Sequence, residues 1–450
     1  MAGPTPAASV PGPALVIGLG QAGVVTAREL RRRGVEVVAI EDQPGERARQ
    51  VATELGLTLV EAPSGEEAVA LLDTVAVVVP SPAVCPTHPV LVAAVDRGVP
   101  VWSEFELAAR WGLPPVVAIT GTNGKTTVTT LVADMVTAAG RRTAAAGNND
   151  VPLVAVLDDG LDLVVVEASS FRLEFTETFR PDVALWLNLA EDHLDWHPDM
   201  EHYAHSKARI WASQRPEDVA IVNADDPVVM AAASGAPGRV VTFGVGQTDY
   251  RVVDGALVLP DGSVLVVGHE LFRALPHDLT NALAAAACAL EAGIPRQAVR
   301  DALLAFRGLP HRLALVADDG GVRFYDDSKA TDPHATAAAI AGFDSVVLLA
   351  GGRNKGLDLS VLADSADRLR HVVAIGEAAA EVTTAFAGTG VEVTTATSMD
   401  DAVDVARAVA RPGDAVVLSP GCASFDWYGG YGERGDDFAR AVHEQRGSRR

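Results

Sequence analysis

Residues 116–135 have the composition and spacing of a phosphate-binding loop. Apolar residues of strand character come first, and a helical pattern follows the loop. The loop and first helical residues are Gly121, Thr122, Asn123, Gly124, Lys125, Thr126 and Thr127. Backbone N–H groups of such a loop, together with a helix N-terminus, favour phosphate binding. We expect Lys125 to contact the β- and γ-phosphates and the Thr126 hydroxyl to ligate Mg²⁺.

The alternative for this segment is a glycine-rich turn that only caps a helix. Two residues separate Gly121 from Gly124, so the loop is shorter than the usual GxxxxGK[ST] motif. The order of strand, glycine loop, Lys-Thr pair and helix nevertheless favours a nucleoside triphosphate site.

Three further polar residues lie where neighbouring elements could bring them to this loop. Glu167 ends the apolar run LVVVE, His193 follows the strand pattern DVALWLN, and Lys207 lies in the helical pattern HYAHSKARIW. Taken singly, Glu167 could cap a helix, His193 could be a structural hydrogen-bonding group and Lys207 a solvated charge. Ligands collect at the carboxyl ends of parallel strands, so the positions of Glu167 and His193 favour a functional role for these two residues.

The N-terminal region carries a second glycine turn. The buried strand pattern ALVI leads into Gly18, Gly20 and Gly23, which have GxGxxG spacing, and a second strand ends at Glu41. This arrangement is typical of a Rossmann-like unit. The fingerprint alone does not choose between NAD, FAD and another nucleotide.

Composition limits the class of protein. With 450 residues and 48% apolar content, the chain predicts a globular protein of about two to four domains. The formal net charge of −23 argues against a general binder of nucleic acid or anionic membranes. The cysteines, Cys85, Cys288 and Cys422, form no CxxC pair, which indicates a reducing compartment. No apolar run approaches the roughly 20 residues that span a bilayer, and we expect a cytoplasmic protein.

Strand patterns alternate with helical patterns throughout the chain, which predicts an α/β fold with parallel sheets in three domains. We expect a Rossmann-like N-terminal domain at 1–103, in which 1–13 is a flexible tail. A central P-loop ATPase-like domain is expected at 104–308, and a Rossmann-like C-terminal domain at 309–450.

The motifs occur in one order across about residues 14–445: GTNGKTT, VEASSF, NLAEDHLDWH, HSKARI, NADD, LTNALAA, GLPHR, DDSKAT, GGRNKG and SPGCASFD. Together they resemble the Mur ligases of peptidoglycan synthesis, and the DSKAT loop is the most discriminating motif. The resemblance implies an ATP-dependent ligase that forms an acyl phosphate and then an amide. It implies UDP-N-acetylmuramoyl-L-alanine and D-glutamate as substrates, a monomer, and no nucleic acid or membrane partner.

The resemblance also implies roles for individual residues. It assigns Lys125, Glu167, His193 and Lys207 to catalysis, with two Mg²⁺ ions held by Thr126, Glu167, His193 and a Lys207 carbamylated by CO₂. Asn281 and Arg312 resemble residues that contact ATP, together with residues 121–127. Residues near the UDP-substrate are Gly20, Gln21, Ala22, Glu41, Ser81 and Asn148. Residues of the amino-acid pocket are Lys329, Thr331, Lys355, Ser424, Phe425 and Tyr431.

Two alternatives stay open at this point. One keeps the ligase chemistry but uses L-glutamate or another amino acid. The other is an NAD(P)-binding dehydrogenase or nucleotide-binding regulator built on the N-terminal glycine turn, which would leave Glu167, His193 and Lys207 unexplained. One departure from the usual pattern is Asp278, where an Asn often precedes the ATP-contacting Asn281.

Overall fold

The computed structural model describes residues 10–149 and 151–447. The chain forms two compact units. The first comprises residues up to Leu189, then Trp196–Leu271 and Leu279–Phe306; the second comprises Ala190–Asp195, Phe272–Asp278 and the residues from Arg307 onward. Residues 1–9 of the predicted flexible tail lie outside the described residues, whereas Val10 is packed in an apolar core.

The N-terminal part of the first unit contains a four-stranded parallel sheet of order β3-β2-β1-β4. Short apolar runs form its strands, and the glycine turn joins the first strand to the first helix. The strands are β1 (Ala14–Ile17), β2 (Val37–Glu41), β3 (Thr58–Glu61) and β4 (Val77–Pro80). The helices are α1 (Gln21–Arg32), α2 (Glu46–Leu55), α3 (Gly65–Ala70), α4 (Pro89–Arg97) and α5 (Glu104–Trp111).

The rest of the first unit is built on a nine-stranded sheet. Its strands are β5 (Val116–Thr120), β6 (Thr143–Gly147), β7 (Leu163–Glu167), β8 (Val183–Trp186), β9 (Val219–Asn223), β10 (Arg239–Gly244), β11 (Tyr250–Val253), β12 (Ala256–Val258) and β13 (Val264–Val267). The helices are α6 (Lys125–Ala138), α7 (Ser170–Glu174), α8 (Met200–Ala212), α9 (Pro227–Ala232), α10 (Pro276–Glu291) and α11 (Arg296–Ala305). The first residues of α10, up to Asp278, belong to the second unit.

The strand order of this sheet is β13-β12-β11-β10-β9-β8-β5-β7-β6. Strands β5–β10 pair in parallel, and β11–β13 form antiparallel pairs at one edge. Strand β5 therefore lies between β7 and β8. After β5, the chain first forms β6 and β7 on one side of it and then forms β8 on the other side. Such a reversal opens a crevice at the carboxyl ends of the strands, where ligands bind in this class of fold.

The two sheets of the first unit share one hydrophobic core. Val16 and Val79 of the smaller sheet belong to the same buried cluster as Phe105 of α5 and Val164 and Trp186 of the larger sheet. Burial of apolar surface is the main favourable term in folding. A continuous apolar core explains why these two sheets form a single compact unit.

The second unit contains a six-stranded sheet of order β14-β15-β19-β16-β17-β18. All its pairs are parallel except β14 with β15. The strands are β14 (Ala314–Asp319), β15 (Val322–Asp326), β16 (Val346–Gly351), β17 (Leu369–Ile375), β18 (Val393–Thr395) and β19 (Ala415–Leu418). The α-helices are α12 (Pro333–Ile340), α13 (Ala379–Ala385), α14 (Met399–Val409) and α15 (Tyr431–Gly447), and Leu359–Arg368 is a 3₁₀ helix.

The predicted α/β class with mainly parallel sheets in three domains is confirmed, since each predicted domain contains one such sheet. The predicted domain limits near 103 and 308 stay predictions. Within residues 10–149 and 151–447, no helix combines the length and apolar character needed to cross a membrane.

Candidate functional site

The phosphate loop connects β5 to α6 in a backbone conformation that requires glycine. Gly121 has φ +153° and Gly124 has φ +85°. A Cβ atom on Gly124 would lie 2.6 Å from Oδ1 of Asn281, and one on Gly121 would lie 2.9 Å from Cβ of Leu187. Both positions therefore require glycine, because of the backbone conformation and because a Cβ atom would be too close to neighbouring atoms. Asn281 faces the loop, as its predicted role requires.

The loop backbone is held by Asn188, which the sequence reasoning missed. The N–H groups of Thr122 and Asn123 donate to Oδ1 of Asn188 over 3.0 and 2.9 Å. We expected the N–H groups of the loop to point at a phosphate; two of them instead donate to this side chain. The sequence contains one signal for this role, because Asn188 follows strand β8 by two residues and β8 is a neighbour of β5 in the sheet.

Two lysine ammonium groups meet at one carbonyl oxygen of this loop. Nζ of Lys125 donates to the carbonyl oxygens of Gly121 and Thr122 over 2.8 and 2.7 Å, and Nζ of Lys207 donates to that of Gly121 over 2.7 Å. Lys207 is 1% exposed, and its ammonium lies 4.4 Å from the Tyr203 ring. A buried charge is costly unless it is hydrogen-bonded. Lys207 is thus not an ordinary solvated lysine.

Glu167 ends strand β7 beside the loop, with its side chain buried. Its register partner on β5 is Ile119. Oε1 accepts a hydrogen bond from Nδ2 of Asn148 over 3.1 Å, while Oε2, among the described residues, is a buried atom with no hydrogen-bond partner. Leaving a buried carboxylate oxygen unsatisfied costs free energy.

A hard cation such as Mg²⁺ is suited to this oxygen, because Mg²⁺ prefers oxygen ligands and binds through one or two carboxylates plus substrate phosphates. In the described part of the chain, no three His, Cys, Asp or Glu side chains group as a metal site. The predicted metal ligands do not include three such side chains. They are the Glu167 carboxylate, the His193 imidazole, the Thr126 hydroxyl and a carbamylated Lys207. The residues of the first unit therefore fit the predicted metal.

His193 lies in the segment Ala190–Asp195, which belongs to the second unit. Its backbone N–H donates to Oδ1 of Asp192 over 2.8 Å, and its Nε2 lies 3.2 Å from Oδ2 of the same residue. Its φ of +58° is uncommon for a residue other than glycine. Because Glu167 belongs to the other unit, a metal site shared by the two residues stays a prediction.

The predicted UDP-substrate residues follow the strands of the smaller sheet. Gly20, Gln21 and Ala22 form the turn into α1. Glu41 Oε2 accepts from the N–H of Leu19 over 2.8 Å, and Ser81 Oγ donates to the carbonyl oxygen of Gly18 over 2.6 Å. Both side chains therefore stabilise the glycine turn. Ala22 and Ser81 line a cleft within the first unit whose other wall includes Glu104 and Arg172.

Asn148 is the remaining residue of this set, and it lies at the end of β6 rather than on the smaller sheet. Its N–H donates to the carbonyl oxygen of Glu167 over 2.8 Å. Asn148 is thus tied to Glu167 through both backbone and side chain.

In the second unit, Arg434 holds together the two loops predicted to form the amino-acid pocket. It is 1% exposed and donates through Nε and Nη2 to Oγ and the carbonyl oxygen of Ser328, and through Nη1 to the carbonyl oxygen of Cys422. Burial lowers the pKa of Arg434 to about 10. The loop with Lys329 and Thr331 is thus fastened to the loop with Ser424. The sequence reasoning missed Arg434, which lies on a terminal helix.

The other predicted pocket residues lie around these loops. Nζ of Lys329 is 4.9 Å from the ring of Tyr431, and the Tyr431 carbonyl oxygen accepts a hydrogen bond from Ser328 Oγ. Phe425 is 61% exposed, whereas Ser424 is buried. The loop before Lys355 joins the same region, because Arg353 and Ala423 form an isolated β-bridge.

Arg312 also lies in the second unit, and its role with ATP stays a prediction. Its carbonyl oxygen accepts from Nη1 of Arg273, which pairs with both carboxylate oxygens of Asp278 over 2.6 and 2.7 Å. The unusual acid at position 278 is therefore neutralised by a bidentate arginine, which is a strong pairing geometry.

The stability of the second unit is expected to depend on pH through Asp327. This buried carboxyl group accepts from the N–H of Leu313 and from Oγ of Ser419, and burial raises its pKa from 3.8 to about 7. Because the pKa of Asp327 is higher in the folded protein than in the unfolded chain, the protonated carboxyl group stabilises the fold fully below pH 3.8. This contribution to the free energy of unfolding is lost as the pH rises to about 7. We expect Asp327→Asn to gain melting temperature relative to the unmutated protein between about pH 4 and 7, with no further gain above that range.

Thermal unfolding of both proteins across this pH range measures the gain. Asp364→Asn, which changes an exposed carboxylate, is the control and should follow the unmutated protein at every pH. A difference between Asp327→Asn and the unmutated protein that does not vary with pH would contradict the raised pKa.

Comparison with known proteins identifies the family. Residues 119–289 match the family described as Mur ligase middle domain, and residues 311–422 match Mur ligase, glutamate ligase domain. The chain belongs to the Mur ligase family. The phosphate loop and Glu167 lie within the first match. The loop with Lys329 lies within the second match, which ends at Cys422, in the loop with Ser424.

Curated relatives cover almost the whole chain. A UDP-N-acetylmuramoylalanine--D-glutamate ligase from Frankia casuarinae is 44% identical, over 97% of this chain and 94% of its own length. A protein of the same name from Desulfosudis oleivorans is also 44% identical, over 95% of each chain.

Solved structures share the fold at low identity. A pseudomurein peptide ligase type C from Methanothermus fervidus superposes with a TM-score of 0.61 at 17% identity, covering 96% of this chain and 99% of its own. A UDP-N-acetylmuramate-alanine ligase from Thermotoga maritima gives a TM-score of 0.57 at 19% identity, with the same coverage.

Proposed function

We propose that this protein is an ATP-dependent amide ligase that adds D-glutamate to UDP-N-acetylmuramoyl-L-alanine. The observation that carries the proposal is its identity of about 44% with ligases of that name over nearly the full chain. The phosphate loop and the unsatisfied carboxylate oxygen of Glu167 beside it supply a chemical reason. The proposal assigns the reaction to the cytoplasm and to a monomer, with no nucleic acid or membrane partner.

In the proposed reaction, the substrate carboxylate attacks the γ-phosphorus of ATP, the bond to the β-phosphate breaks, and an acyl phosphate and ADP form. The neutral amine of D-glutamate then attacks the acyl carbon, and phosphate leaves and the nitrogen loses a proton as the amide forms. Mg²⁺ bound at Thr126 and Glu167, and a second Mg²⁺ at Glu167 and His193, would neutralise the anionic groups that must approach one another. Lys125 would exchange its loop carbonyl partners for phosphate oxygens of ATP.

We assign Lys207 the role of a carbamylated ligand. Its Nζ is buried and donates to the Gly121 carbonyl oxygen. Addition of CO₂ to the neutral amine forms an N–C bond and releases one proton. The product keeps one N–H, which can still donate to Gly121, and gains a carboxylate that can bind a cation. The buried lysine contact is thus compatible with the modification.

The remaining predicted residues keep their assigned roles within this proposal. Asn281 and Arg312 would contact ATP, and the residues around the glycine turn of α1 would bind the UDP group. Lys329, Thr331, Lys355, Ser424, Phe425 and Tyr431 would bind D-glutamate. A substrate with two carboxylates suits lysines combined with hydroxyl and backbone N–H groups.

The test is phosphate release from ATP and Mg²⁺ by the purified protein. We expect release that requires both UDP-N-acetylmuramoyl-L-alanine and D-glutamate. Equal release with L-glutamate would favour a ligase of different amino-acid selectivity, which is the second candidate from the sequence. No release with any combination would exclude both ligase functions and would leave an NAD(P)-binding dehydrogenase or a nucleotide-binding regulator.

A further inference from the structure

A chain of hydrogen-bonded polar side chains leads to Glu167 from the side of strand β6, opposite to the phosphate loop. Glu104, Arg172 and Glu167 are buried, whereas Asn148 is exposed. Arg172, on α7, is 7% exposed, and its Nε donates to Oε1 of Glu104 over 2.9 Å. Its Nη1 donates to Oδ1 of Asn148 over 2.8 Å. Nδ2 of Asn148 then donates to Oε1 of Glu167 over 3.1 Å. The four residues lie on four different elements or loops of the first unit.

The chemistry of the two end groups fixes the orientation of the Asn148 amide. A guanidinium can only donate hydrogen bonds, and an ionised carboxylate can only accept them. The amide oxygen must therefore face Arg172 and the NH₂ group must face Glu167. The reverse orientation would put two donors together at one end and two acceptors at the other.

The consequence for Glu167 is an asymmetric carboxylate. The Asn148 amide holds Oε1, while Oε2 is buried and, among the described residues, has no hydrogen-bond partner. One oxygen is thus fixed in place, and the other is available to a cation. Polar groups that orient a ligating carboxylate are a regular part of protein metal sites.

Glu104 supplies the anchor for Arg172. It is 3% exposed, and its Oε2 accepts from the N–H of Val154 over 3.3 Å. Burial raises the pKa of the Glu104 carboxyl, and the positive charge of Arg172 opposes that change. The pair brings little net charge to the site, so its effect on Glu167 is one of orientation.

We propose that Arg172 is a positioning residue for the metal-binding carboxylate: fixed by Glu104, it orients Asn148 so that the amide holds one oxygen of Glu167 and leaves the other for the metal. This inference rests on the metal role of Glu167 in the proposed function. It adds two residues, Arg172 and Glu104, that the sequence reasoning did not single out.

The test compares variants that keep the buried charge balanced. Glu104→Gln/Arg172→Met removes the ion pair and the donor to Asn148 together, so no unpaired charge is left buried. Arg172→Lys keeps the charge opposite Glu104 but has no planar fork to reach both partners. The matched control is Asp218→Asn/Arg180→Met, because Arg180 and Asp218 form a bidentate pair over 2.6 Å near the amino ends of β8 and β9.

The readout is the affinity for Mn²⁺ in the presence of the non-hydrolysable nucleotide AMP-PCP, measured by electron paramagnetic resonance. Melting temperature is recorded beside it. We expect Glu104→Gln/Arg172→Met to bind Mn²⁺ about tenfold more weakly, Arg172→Lys to be intermediate, and the control pair to be unchanged. Support requires this order in variants that still melt cooperatively.

Glu167→Gln separates failure of this inference from failure of the proposed function. If Glu167→Gln binds Mn²⁺ as the unmutated protein does, the metal role of Glu167 is wrong. If it binds weakly but the Arg172 variants bind normally, only the positioning role is wrong. A raised KM for the UDP-substrate with normal Mn²⁺ affinity would also overturn it, since Arg172 would then contact the substrate from the cleft wall.

Discussion

Lys207→Ala is expected to lower the rate of phosphate release by at least about 100-fold, because losing a metal ligand should cost more than losing a residue that only orients one. The ammonium group of Lys207 donates a hydrogen bond to the carbonyl oxygen of Gly121, the first residue of the phosphate loop. A carbamate at this point would carry negative charge to the metal ions, whereas alanine leaves a space. The measurement is kcat for phosphate release with all substrates saturating.

Rescue distinguishes a lost carbamate from a lost cation. A small carboxylic acid such as acetate can enter the space left by Lys207→Ala and supply a carboxylate, so we expect it to restore part of the activity. An amine of similar size should not. The control is Glu201→Ala, which removes an exposed side chain from the same helix. Full activity of Lys207→Ala, or rescue by the amine alone, would contradict the carbamate.

Lys125→Met is expected to lower kcat by about 10²–10³-fold, since one preorganised cationic donor at a charged transition state is worth that much. In this structure Nζ of Lys125 is hydrogen-bonded to the carbonyl oxygens of Gly121 and Thr122. These contacts hold the ammonium near the position that the phosphates of ATP would take. Methionine keeps the length of the side chain but has no charge.

The comparison variant is Arg141→Met, which removes a cation beyond the other end of α6. Arg141 donates to the carbonyl oxygen of Asp162 and has no predicted role in ATP binding. We expect it to leave kcat and the KM for ATP unchanged. A Lys125→Met protein with the kcat of the unmutated protein would mean that the loop does not bind the reacting phosphates.

The sequence was most informative where chemistry follows directly from a strand. Glu167 was predicted at the end of a buried strand because LVVVE contains four apolar residues and then one acid. Gly121 and Gly124 were predicted to enclose a turn, and both have positive φ angles. These inferences needed only local pattern and the rule that parallel strands end at a common edge.

The sequence was least informative where function depends on contacts between distant residues. Arg172 is 68 residues from its partner Glu104, and Arg434 is 106 residues from Ser328. An arginine on an amphipathic helix is usually a solvated charge, so no local pattern distinguishes these two. The grouping of the first two sheets into one unit was hidden for the same reason, because it depends on a shared apolar core.

Asn188 has a further consequence, through its neighbour Trp186. The indole N–H of Trp186 donates to the carbonyl oxygen of Asn188 over 3.0 Å, and that oxygen also accepts from the N–H of Thr122 in the phosphate loop. The indole ring is fully buried, with its centroid 5.5 Å from that of Trp211. Indole fluorescence responds to changes in this hydrogen bond, so the chain carries its own optical reporter beside the loop. We expect nucleotide binding at the loop to change the tryptophan fluorescence of the unlabelled protein.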